Sequence, residues 1–203
     1  MTMRNILIVI AVITLWSCGS DGELRKSVFI RDPDFPELPQ YSEWGYNTFG
    51  AYYGRQPFVS NDEEVPLNVI VHDDVTSFDF KGQLGGYSYY SYSDKQFLLR
   101  LTFSDFHPEI YEDLISLDKT TFDLTDPQFS VSVTDFSGIE SPVEILEGQF
   151  MVKRAQMLLV DKEKQQVILS GVFSFKAIIG GEAVSVSDGR FDVGVSAISF
   201  FKY

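Results

Sequence analysis

The chain has 203 residues, a length for one domain or at most two small ones. Hydrophobic residues at 44% and charged residues at 22% belong to a globular protein and exclude a disordered one. One Cys and 2 His exclude a disulfide scaffold, a zinc cluster and a Cys/His redox or metal centre. A formal net charge of -13 leaves no basic face for nucleic acid.

The chain opens with Arg4 and then runs from Ile6 to Trp16 without a charge. That run is too short for a bilayer core of about 30 Å and fits the apolar region of a secretory signal. Leu15-Trp16-Ser17-Cys18 follows and resembles a bacterial lipobox, with Leu15 and the small Ser17 in place and Trp16 bulkier than usual. The resemblance implies removal of residues 1–17 and a diacylglycerol on the sulfur of Cys18, the one Cys of the chain. Two or three acyl chains would then hold the protein firmly at a membrane, each buried CH₂ contributing about 0.8 kcal/mol. Gly19 stands where an inner-membrane retention signal would carry Asp, so the outer membrane is expected. Asp21 and Glu23 resemble the acidic surface-export clusters of Bacteroidetes lipoproteins, which leaves cell surface and periplasmic face both open.

Residues 18–43 are polar and interrupted by Pro33, Pro36 and Pro39, a composition that predicts an extended tether whose last part packs on the domain. A single β-rich domain is predicted from Trp44 to the end at Tyr203. Phe49–Tyr53 and Gln56–Val59 flank Gly54-Arg55, a two-residue hairpin signal. Leu67, Val69 and Val71 alternate with polar positions, as do Phe78 and Phe80, Phe97 through Phe103, and Phe129 through Val133. Such a period of two places one face in a core and the other, including Asp79 and Arg100, in water. Pro108–Leu117 has Ile110, Leu114 and Leu117 at helical spacing and predicts one short helix.

The last third predicts a meander of three hairpins. A strand over Gln149–Val160 turns at Asp161–Gln165 into Val167–Ile179, Gly180-Gly181 turns it into Ala183–Ser187, and Asp188-Gly189 turns it into Arg190–Val195. Ile198–Tyr203 closes the chain. The expected fold is all-β, an antiparallel β-sandwich or flattened barrel with a hairpin meander and one short helix.

Gly45-Tyr46-Asn47-Thr48-Phe49-Gly50, with Gly54 beyond it, resembles the opening of a family of small Bacteroidetes lipoprotein domains. Leu169-Ser170-Gly171-Val172-Phe173-Ser174-Phe175 and Asp188-Gly189-Arg190-Phe191-Asp192-Val193 resemble its close. The family has no assigned function; it implies secretion, a lipid anchor and a β-rich fold, and it brings no catalytic residues. On their own chemistry Gly50, Gly171 and Gly189 read as close backbone approaches or positive φ, and Asn47 as a turn or cap. Arg190 and Asp192 read as a weak exposed pair.

No nucleophile elbow, zinc-protease motif or phosphate loop is present, and no cofactor is implied. Ser116–Lys119 and Ser199–Lys202 match S-x-x-K, a pattern that chance supplies in a chain this rich in Ser. His72-Asp73-Asp74 reads as a solvated turn rather than a metal site, and Asn61–Glu64 as an acidic loop without calcium-loop spacing. The most suggestive patch is Tyr87, Tyr89, Tyr90 and Tyr92, whose rings suit sugar stacking or protein contact, one pair on each face of a strand. The expected function is a non-enzymatic binding or structural module, fixed to the membrane by its N-terminal lipid and facing an envelope protein or glycan. The alternatives are a carrier with an apolar ligand in a barrel-like interior and a hydrolase built on paired carboxylates.

Overall fold

The computed structural model describes residues 24, 26–60, 65–85, 96–135 and 137–203. Among them are eleven strands and one 3₁₀ helix. The strands are β1 (Thr48–Tyr53), β2 (Gln56–Val59), β3 (Leu67–His72), β4 (Val75–Leu84), β5 (Gln96–Phe103), β6 (Thr120–Asp123), β7 (Phe129–Thr134), β8 (Glu140–Val160), β9 (Glu163–Ile179), β10 (Glu182–Val195) and β11 (Phe200–Lys202). Eight of them close a ring in the order β4-β2-β1-β10-β9-β8-β7-β5, with β5 returning to β4. This is the expected all-β fold, an antiparallel sandwich or flattened barrel, with its hydrogen bonding closed into a ring.

Strand β4 makes closure possible. Its first part pairs with β3 (Leu67 opposite Phe80), and its last residues pair with β2 (Phe58 opposite Leu84), while β5 runs along its other edge. Every pairing is antiparallel except that of β11 with β3, which is parallel. The segment Ile198–Tyr203 therefore does not extend the meander but crosses to the far side of β3.

The alternating apolar residues all point inward, and Phe rings fill the interior. Phe49 meets Phe58 edge-on at 4.8 Å and stacks on Phe80 at 4.9 Å, while Phe150 stacks on Phe191 at 5.2 Å. Each such pair adds about 0.5–1.5 kcal/mol beyond the burial of its rings. Close packing of this kind requires backbone without side chains at a few points. A Cβ on Gly171 would lie 2.1 Å from the Met151 carbonyl oxygen and 2.5 Å from the Phe191 ring. Gly50 and Gly189 are likewise close approaches, to Pro39 and to Phe173.

Three expectations are corrected. Asp188-Gly189 is not a turn: β10 runs unbroken, and the pair forms a bulge, the four residues from Val186 to Gly189 facing three on β9. Asp188 does take the positive φ (53°) that its sequence signal promised, and the extra residue is absorbed on the β1 side too, between Gly50 and Tyr52. The meander thus has two hairpins. Their turns, Asp161-Lys162 and Gly180-Gly181, both carry positive φ at two successive residues, as a type I′ turn requires. The short helix is a 3₁₀ helix over Tyr111–Leu117; its three-residue repeat buries Leu114 and Leu117 and leaves Ile110 about half exposed (52%). Asp79 points away from the core but is buried, because Arg100 directly opposite on β5 lies over it with two bonds of 2.7 and 2.8 Å. That bond holds the guanidinium above its ordinary pKa.

The last part of the tether does pack on the domain. From Lys26 to Glu43 the chain is a strap laid on the barrel. Ile30 and Gln40, and Asp32 and Leu38, bond to each other as a small hairpin, with Leu38 fully buried and Pro39 seated on Gly50. The prolines interrupt helix but not this extended, side-chain-anchored path.

Candidate functional site

The two motifs that bracket the domain meet in space. Asp192, near the end of β10, is buried to 1% exposure and accepts from five donors. These are the amides of Trp44 (3.1 Å), Gly45 (2.8 Å) and Tyr46 (3.1 Å), the Ser170 hydroxyl (2.8 Å) and the Ser42 hydroxyl. Three successive amides can converge on one carboxylate because Gly45 (φ 76°) and Asn47 (φ 53°) turn the chain through the left-handed region. Asn47 completes the knot. Its side-chain oxygen accepts from Gly194 at 2.9 Å, and its amide nitrogen donates to the carbonyl of Leu24 at 2.8 Å.

Arg190 does not pair with Asp192. It pairs with Asp32 on the strap and lies over the Phe35 ring at 5.1 Å. Burial pushes the Asp32 carboxyl up, but the Asp34 and Phe35 amides and the Arg190 guanidinium outweigh it and hold it below the ordinary carboxylate range. The Asp192 and Arg190 contacts lock the strap; they offer no open position to a ligand. Beside them, Tyr41 donates to Glu43 at 2.9 Å, and burial and that bond push its phenol well above its usual pKa.

Among the described residues an open feature lies beside the 3₁₀ helix. Short β6 continues the wall along β8 where β7 leaves it, and a recess of about 230 Å³ remains between the end of β5, β6 and the 3₁₀ helix. Phe103, Phe122 and Phe129 form its floor as a triangle of edge-to-face rings, each pair 5.3 Å apart. Phe106 and Leu117 add apolar wall, and Asp105, Ser116, Thr120 and Gln128 bring polar groups to it. A cavity of about 150 Å³ accepts benzene, and drug-sized ligands take roughly 300–1,000 Å³. This recess has the size of one large side chain.

Of the residues singled out from sequence, Cys18, the tyrosines Tyr87, Tyr89, Tyr90 and Tyr92, and the loop Asn61–Glu64 lie outside the described residues. His72-Asp73 is a surface turn between β3 and β4, with Nδ1 of His72 3.1 Å from the Asp73 carboxylate and both side chains open to solvent. Among the described residues no group of three His, Cys, Asp or Glu is placed to hold a metal, and no helix is long and apolar enough to cross a membrane. The recess carries no local sequence signal. Its residues come from three strands, the 3₁₀ helix and two loops, and none of these pieces marks a pocket alone.

Comparison of the chain with protein-family models, with curated proteins and with solved structures finds no match in any of the three.

Proposed function

We propose that this is a lipid-anchored cell-envelope protein whose barrel is a non-enzymatic binding module, and that its recess receives one aromatic or long aliphatic side chain of a protein partner. The anchor rests on the lipobox-like Leu15–Cys18. The binding function rests on one observation: a pocket floored by three Phe rings, sized for a side chain and edged with polar groups. Anchoring side chains buried in such pockets dominate the energy of many interfaces. An apolar ligand along the barrel axis would have to displace the rings that pack there, so the recess is the better receptor.

The test is a titration with indole and 4-methylphenol, the Trp and Tyr side chains, followed by NMR at Leu117 and Thr120. A Kd near 1 mM, about -4 kcal/mol, is expected of so small a ring. Ser116→Trp, an exposed position at the rim, should close the recess and abolish the shifts. Equal shifts in the plugged variant, or none in the wild type, would remove the recess from the binding function.

A further inference from the structure

We infer that the end of the barrel where the strap enters is a membrane-contacting face, with Trp44 at the bilayer interface. This deepens the proposed function and rests on its reading of Cys18 as the anchored residue.

Chain length limits how far the barrel can stand off. Asn47 fastens the carbonyls of Leu24 and Lys26, and the Val28 amide bonds to the Tyr46 carbonyl, so the chain is already fastened to the barrel at Leu24. Only the residues between Cys18 and Leu24 are left to span the gap. At 3.3–3.6 Å per residue they reach about 20 Å fully extended, where a free tether over 18–43 would reach several tens of Å. The end that carries Leu24 is thereby held against the surface that carries the lipid.

The same end exposes apolar side chains. Trp44 is 73% exposed, directly before the glycine that turns toward Asp192. Val28 is exposed on the strap. The β8–β9 hairpin passes beneath the strap, where the Gln156 amide reaches the Glu43 carbonyl, and continues to a tip at Leu159 and Val160, both exposed. Ile198, in the turn after β10, is exposed as well. A Trp among aliphatic residues on a rim close to a lipid attachment point suits the headgroup–acyl boundary, where indole places its ring in the apolar layer and its N–H in the polar one.

The chain from Cys18 onward contains every described residue, and Trp44 is its one tryptophan, since the other is Trp16. The thiol of Cys18 is coupled to a maleimide lipid in phosphatidylcholine vesicles, part of whose lipid is brominated near the headgroup end of the acyl chains. Trp44 emission should move to shorter wavelength and fall roughly twofold through contact with bromine, as a ring at the interface would. The variant Trp44→Phe/Ile139→Trp carries its indole on an exposed position at the opposite end, before β8. It should keep its emission. Unchanged Trp44 emission on coupling, or equal quenching of the Ile139→Trp indole, would overturn the orientation. The chemical link stands in for the natural lipid, so this result is independent of mass spectrometry of the native protein, where an unmodified Cys18 thiol would instead refute the anchor.

Discussion

The buried carboxylate at Asp192 gives the sharpest quantitative test of how the strap is held. Asp192→Asn keeps the shape and replaces one acceptor oxygen by an NH₂ donor. With the new nitrogen at the Oδ2 position, two backbone amides, Trp44 and Tyr46, would face a donor. At the Oδ1 position only the Gly45 amide would, because the Ser170 hydroxyl can turn to accept. The second arrangement is cheaper and still leaves one buried amide without an acceptor, at about 1–3 kcal/mol, while the remaining bonds lose their charge assistance. The expected loss is about 2–4 kcal/mol, a fall in melting temperature of roughly 5–15 °C for a domain of this size. Urea unfolding gives the free energy, and limited proteolysis shows where it is lost: cleavage should begin within residues 26–45 before the barrel opens. A variant within about 0.5 kcal/mol of wild type, with the strap equally resistant, would refute the assignment of Asp192 as its lock.

Gly171→Ala should cost about 3 kcal/mol or more, because its Cβ meets the Met151 carbonyl on β8 as well as the Phe191 ring and both strands would have to part; a urea midpoint unchanged from wild type would contradict the packing described. The Asp32 carboxyl is held below its unfolded value, so its contribution is complete above about pH 4 and is lost as pH falls through the lower folded pKa. Asp32→Asn should therefore be less stable than wild type at pH 7, with the difference shrinking below pH 4. A difference that stays constant from pH 7 to the acid limit would show that the Asp32–Arg190 pair does not act through its charge.

The barrel was legible in the sequence because alternation is a local property. Phe78 and Phe80, or Leu99 and Leu101, announce a strand and its inner face without reference to any partner. Partnership is another matter. The parallel pairing of Phe200–Lys202 with β3 and the short strand Thr120–Asp123 depend on which edges are free once the ring has closed. Asp188-Gly189 shows the limit of turn chemistry: it specifies a positive φ, and a bulge uses that conformation as well as a hairpin does. Asn47 and Asp192 stood out within their motifs, but only the fold shows that each fastens the strap. The recess had no signal, since Phe103, Phe122 and Phe129 come together only through tertiary packing.

The knot also dictates an order of assembly. Trp44, Gly45 and Tyr46 await a carboxylate more than 140 positions further along the chain, and Asp32 awaits a guanidinium at still greater separation. Contacts so distant in sequence carry the largest closure entropy and form late. The strap is therefore the last segment to dock. Until β10 is in place, it has no fixed seat on the barrel.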